Sequence, residues 1–75
     1  MTKSDIAKSL AELSPFGTAK VRGELLGAYY SEKTTSFLLD RRGRAAAERF
    51  GATHNCDFRF DPLEGVGIFT KRSAT

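Results

Sequence analysis

Arg41, Arg42, Arg44 and Arg49 fall within nine positions of one another, around the three alanines Ala45, Ala46 and Ala47. A guanidinium group is planar, stays charged at any physiological pH and binds phosphate or carboxylate in a bidentate fork. Four of them in the stretch "DRRGRAAAERFG", residues 40–51, point to recognition of something acidic. Lys71 and Arg72 near the C-terminus add two further cations to the candidate surface. The bland alternative is a solvated approach to a helix, partly neutralised by Asp40 and Glu48.

His54, Cys56 and Asp57 are the other residues whose chemistry calls for scrutiny. A cysteine nucleophile needs a base within hydrogen-bond reach and a group that orients the base. Here all three crowd into four positions. In an extended segment His54 and Cys56 would share a face while Asp57 points away. The simpler reading is a polar entry to a strand that carries a small buried cysteine. As a metal site, His54 and Cys56 supply two soft ligands where zinc normally takes three or four from the protein. No glycine-rich phosphate loop is present, because "GTAKVRGELLG" matches neither the dinucleotide fingerprint nor a P-loop. The reading is a non-enzymatic protein with no catalytic residues, no metal site and no cofactor.

The elements that must position these residues follow from periodicity. Residues 4–13, "SDIAKSLAEL", read as a helix capped by Ser4, with Ile6, Leu10 and Leu13 on one stripe. Ser14-Pro15 ends it. Residues 18–30 admit two readings. Ala19, Val21, Gly23 and Leu25 alternate with charged residues, which favours a strand. A helix starting at Pro15 would carry interior glycines, each costing about 1 kcal/mol. Residues 34–40, "TTSFLLD", read as a strand, which could form a hairpin with the segment before it. Asp40–Gly43 then reads as a turn, residues 44–50 as a short helix and Gly51 as its C-terminal cap. Residues 55–61 alternate Cys56, Phe58 and Phe60 with charges, the clearest strand in the chain. After a "PLEG" turn, residues 66–72 return as its hairpin partner, and residues 73–75 read as a frayed tail.

The expected fold is therefore α+β, a small single domain over residues 1–75. It has an N-terminal helix, antiparallel hairpins and a short second helix. If residues 15–30 were helical instead, the alternative would be a winged helix of three helices and a C-terminal β-hairpin. In the last hairpin Phe69 falls opposite Val66 and Ile68. It must be covered by the N-terminal helix, by a second chain or by a partner. In the latter cases it makes a possible hydrophobic interface with Tyr29 and Tyr30, and the chain a possible homodimer with the C-terminal hairpin near the contact.

The composition bounds the rest. Twelve Lys and Arg against nine Asp and Glu give +3 over 75 residues, with 40% hydrophobic and 28% charged residues. That is a mildly basic folded domain, not a disordered one. A single cysteine allows no internal disulfide, and no apolar run approaches a membrane span, so the chain reads as cytoplasmic. The leading functional reading is nucleic-acid binding, DNA or RNA, through contacts from the arginine-rich turn and helix to the phosphate backbone. The alternative is a protein–protein interaction module or inhibitor, such as a phage-type accessory factor or a minor subunit of an assembly. Its arginines would dock on an acidic protein surface.

Overall fold

The computed structural model describes residues 3–72, so the tail at 73–75 lies outside the described residues. The elements run α1 (Lys3–Ala11), β1 (Thr18–Arg22), a 3-10 turn (Gly23–Leu26), β2 (Tyr29–Ser31), β3 (Ser36–Leu38), α2 (Arg41–Thr53), β4 (Cys56–Asp61) and β5 (Val66–Lys71). Three strands form an antiparallel sheet in the order β1-β5-β4, and β2 pairs with β3 in a separate hairpin. The fold is the expected α+β arrangement, and the C-terminal hairpin stands where the alternation places it. The alternating segment β1, however, pairs with β5, and the partner of β3 is the tyrosine stretch Tyr29–Ser31.

The winged-helix alternative is excluded. Residues 18–22 are strand, and the chain then folds into a single 3-10 turn rather than a helix. The alternating pattern read across 18–30 breaks at the same place. Gly27 closes the turn at φ 90°, a conformation that only glycine adopts freely, and the chain restarts at β2.

The helices differ from expectation at their ends. α1 begins at Lys3, so Ser4 lies inside its first turn, and it stops at Ala11, two residues short of Leu13. α2 is much longer than the segment 44–50. Asp40, read as part of a turn, is its N-cap, and its side chain accepts a hydrogen bond from the Gly43 N–H at 2.6 Å. Gly51 does not cap the helix, which ends at His54. Gly51 is instead buried, and a Cβ there would lie 3.1 Å from the Phe69 ring and from the Cys56 carbonyl. The glycine lets α2 settle directly on the sheet.

Ile6, Leu10, Val21, Ala47, Cys56 and Phe69 make up the buried core, with Leu13, Ala19, Leu26, Phe50 and Phe58 packed around it. Phe69 corrects the sequence expectation. The face of β5 shared by Gly67, Phe69 and Lys71 is the one covered by the helices, and Phe69 is completely enclosed. It meets Phe58 at a ring distance of 5.1 Å and Phe50 at 6.2 Å. Phe69 is therefore a core residue and no interface, and Val66 and Ile68 lie on the outer side of the sheet.

Candidate functional site

Lys71 shares the core face of β5 with Phe69, and its ammonium reaches between the helices. Its Nζ donates to the Leu10 carbonyl at 3.3 Å and to the His54 carbonyl at 3.0 Å. Both carbonyls sit at helix C-terminal ends, where the negative end of the dipole favours a cation, and each also accepts one further bond, from the Leu13 N–H and the Cys56 thiol respectively. Lys71 thus ties α1 and α2 to the sheet rather than standing free for a ligand. Lys71→Met is expected to cost about 1–3 kcal/mol in urea denaturation, because two acceptors lose a charged donor. An unchanged unfolding midpoint would contradict this role. Arg72 is also engaged, pairing with Asp57 at 2.7 Å.

The four arginines of α2 differ from both. Arg41, Arg42, Arg44 and Arg49 are all exposed. The ion pairs among the described residues join Lys20 to Glu64, Arg22 to Glu24 and Arg72 to Asp57, and none involves α2. Glu48 lies one turn beyond Arg44 yet makes no ion pair with it. Three cations in the first turn of a helix oppose its dipole, and the Asp40 cap offsets only part of that cost. The Asp40 carboxylate also occupies the helix end itself. An anion approaching α2 would therefore meet guanidinium groups rather than the helix N-terminus.

Helical spacing divides the arginines between two flanks. Gly43, Ala47, Phe50 and Gly51 face the sheet, and Ala47 and Gly51 are buried. Ala45 and Ala52 lie on the opposite side, both exposed. Arg42 and Arg49, seven residues apart, border this alanine ridge on one side. Arg41 and Arg44, three apart, border it on the other. The sequence suggested a cluster, whereas the helix sets Arg42 and Arg49 on one flank of its exposed side and Arg41 and Arg44 on the other, where Glu48 stands among them, four residues from Arg44 and seven from Arg41.

On the Arg49 side the surface drops into a groove of about 400 Å³ between α1, the 3-10 turn and α2. Ile6, Leu25, Leu26, Ala46 and Phe50 line it, with Arg49 and Thr53 also in its wall. The groove had no sequence signal, since it arises where two helices on one sheet face do not quite meet. Tyr29 and Tyr30 stand apart from both features on the β2–β3 hairpin. Each is about half exposed, and Tyr30 packs edge-on against Phe37 at 5.2 Å.

The His54, Cys56 and Asp57 trio is dispersed. Cys56 is buried, and its thiol donates to the backbone carbonyl of His54 at 3.4 Å, not to the ring. The His54 ring lies against Phe50 at 4.9 Å, and Asp57 is taken up by Arg72. Among the described residues no three His, Cys, Asp or Glu side chains come together as a metal site. Cys56→Ala is expected to cost about 1 kcal/mol and to leave ligand binding unchanged. Loss of binding with circular dichroism unaltered would contradict a purely structural cysteine.

No helix among the described residues is long and apolar enough to cross a membrane. Comparison of the chain with protein-family models, with curated proteins and with solved structures found no match to any of them.

Proposed function

We propose that this protein is a non-enzymatic nucleic-acid binder that lays α2 into the major groove of duplex DNA and holds the phosphates on either side. The observation that carries this reading is the exposed side of α2, where four arginines without ion pairs flank Ala45 and Ala52 on both sides and outnumber the one carboxylate there, Glu48. A flat acidic surface would engage one edge at a time. A groove with phosphates on both walls engages both, and the major groove of B-DNA admits an α-helix. A-form RNA has a deep, narrow major groove and fits less well. Ala45 and Ala52 on the leading surface offer no hydrogen bonds to base edges, and Glu48 is the one polar side chain between them. The contacts are therefore to backbone, and affinity should depend little on sequence.

The test is fluorescence anisotropy with duplexes of unrelated sequence, together with a single strand and an RNA duplex of matched length. Similar affinities for all DNA duplexes, above those for the single strand and the RNA, support the reading. Equal, negligible signal for every nucleic acid refutes it.

One observation favours a second reading, an acidic protein partner. The apolar groove opens beside Arg49, and arginine beside an apolar pocket is a common hot-spot pairing in protein interfaces. A pull-down from lysate with and without nuclease separates the two. Capture abolished by nuclease supports DNA, and capture of a protein that survives nuclease supports the groove.

A further inference from the structure

We infer that the free edge of β4 is a self-association surface that takes a second copy of this chain, joining the two three-stranded sheets into one of six strands. Independent of the proposed function, this rests on the edge's backbone pattern and charge order.

β4 is an outer strand, paired only with β5. The ladder fixes which of its backbone groups are used. The Arg72 N–H donates to the Asn55 carbonyl, and Asp57, Arg59 and Asp61 stand opposite Thr70, Ile68 and Val66. In an antiparallel ladder alternate residues turn both backbone groups to the same neighbour. Residues 55, 57, 59 and 61 therefore bond to β5, while Cys56, Phe58 and Phe60 turn theirs outward. The Cys56 carbonyl lies against Gly51 of α2, so the open edge centres on Phe58 and Phe60. No proline or bulge interrupts this strand, and its protection lies in the charges of Asp57, Arg59 and Asp61, which discourage pairing with an edge that does not match them.

The sequence along the edge reads Asp57-Phe58-Arg59-Phe60-Asp61, the same in both directions. A two-fold antiparallel pairing centred on Phe58 sets Phe58 against its copy, with both backbone bonds exchanged. On the outer face it places each Asp57, whose Oδ1 is held by Arg72 of its own chain, opposite the other copy's Arg59, so that the carboxylate is shared between the two guanidinium groups. Arg59 makes no ion pair among the described residues. A pairing centred on Arg59 would instead oppose arginine to arginine and aspartate to aspartate. One centred on Phe60 would bring Phe58 against Pro62, which has no N–H. Charge and hydrogen bonding thus select a single register. The other outer strand, β1, provides the contrast. Pairing it with itself about its centre sets Lys20 opposite Lys20 on the same outer face, so that edge repels its own copy.

The experiment is sedimentation equilibrium of the full chain from micromolar to millimolar concentration, for wild type, Arg59→Glu and Asp57→Lys/Arg59→Glu, with circular dichroism as the check on folding. The wild type should dimerise. Arg59→Glu places two carboxylates together on each side of the axis and should weaken dimerisation about tenfold or more. The double variant reverses both charges of the intermolecular pair and, although it also gives up the Asp57–Arg72 pair within each chain, should dimerise more strongly than Arg59→Glu. In the wild type, hydrogen exchange at the Phe58 amide should slow as concentration rises, a readout that needs no substitution. A chain that stays at 8.2 kDa throughout overturns the inference. So does a dimer whose strength ignores Arg59→Glu, or a Phe58 amide that exchanges at the same rate at every concentration.

Discussion

Phe69→Ala is expected to leave most of the protein unfolded at room temperature. Phe69 sits in the middle of the central strand, opposite Ala19 of β1 and Phe58 of β4, and beneath Phe50 and Gly51 of α2. Removing a fully enclosed phenylalanine ring costs about 3–5 kcal/mol, partly as lost transfer energy and partly as the cavity left behind. A core of this size supplies about 3–5 kcal/mol in total. The two are equal, so no margin remains. Thermal melts followed by near-ultraviolet circular dichroism should show no cooperative transition, or one lowered by more than about 12 °C. Tyr29→Ala is the control, because an exposed ring away from the core should cost within about 0.5 kcal/mol. A Phe69→Ala melt within a few degrees of wild type would mean that the helices do not cover this face of the sheet.

The second large effect falls on binding. Arg41→Ala/Arg42→Ala removes one guanidinium from each edge of the alanine ridge. Each lost charge-assisted contact costs about 1.5 kcal/mol, so the pair should weaken duplex binding roughly a hundredfold. The slope of log K against log salt should become shallower by about 2, since two phosphates are no longer neutralised. The fold should survive, because both side chains are exposed and make no ion pair. Lysine at the same positions should retain most of the salt slope but lose the bidentate geometry. A further comparison separates a straddled groove from a one-sided contact. Arg42→Ala/Arg49→Ala strips one edge and Arg41→Ala/Arg44→Ala the other, and the two doubles should cost similar amounts. If only one of them matters, α2 presents a single flank to its partner.

Much of this architecture was legible in the residues. The β4–β5 hairpin follows from strict alternation around a proline-and-glycine turn, and Asp61 secures that turn by accepting from the Leu63 and Glu64 amides. The core stripe of α1 is written in Ile6 and Leu10, and Leu13, past the helix end, packs beside them. What escaped the sequence has a common cause, the double meaning of glycine and lysine. Gly43 and Gly51 read as the start and stop of a short helix, whereas in the fold they sit inside a long one where neighbouring atoms leave little room for a side chain. Val66 and Ile68 read as the covered face of β5, because Gly67 and Lys71 beside Phe69 carry no apolar signal. In fact Gly67 makes room for Leu26 and Phe58, and Lys71 lays its stem along the core to place its charge on two helix ends.

For the candidate site, the arginines were visible but their arrangement was not. Their division into two flanks depends on α2 being helical from Arg41 onward. That in turn depends on Asp40 acting as a cap rather than a turn residue. The signal was present in Asp40 followed three residues later by an amide it could bind, but the glycine at that position obscured it. The apolar groove and the unpaired β4 edge are tertiary features, set by which strands neighbour which, and no local pattern encodes them.

If α2 holds phosphates along both edges, the salt dependence of wild-type binding to duplex DNA must show it. Four arginine–phosphate contacts predict a slope of log K against log salt of about −3 to −4 between roughly 50 and 200 mM. A slope in that range, the same for duplexes of unrelated sequence, is the predicted result. No measurable affinity at about 50 mM salt, or a slope near zero, would contradict it, because four guanidinium groups on phosphates must release counterions when they bind.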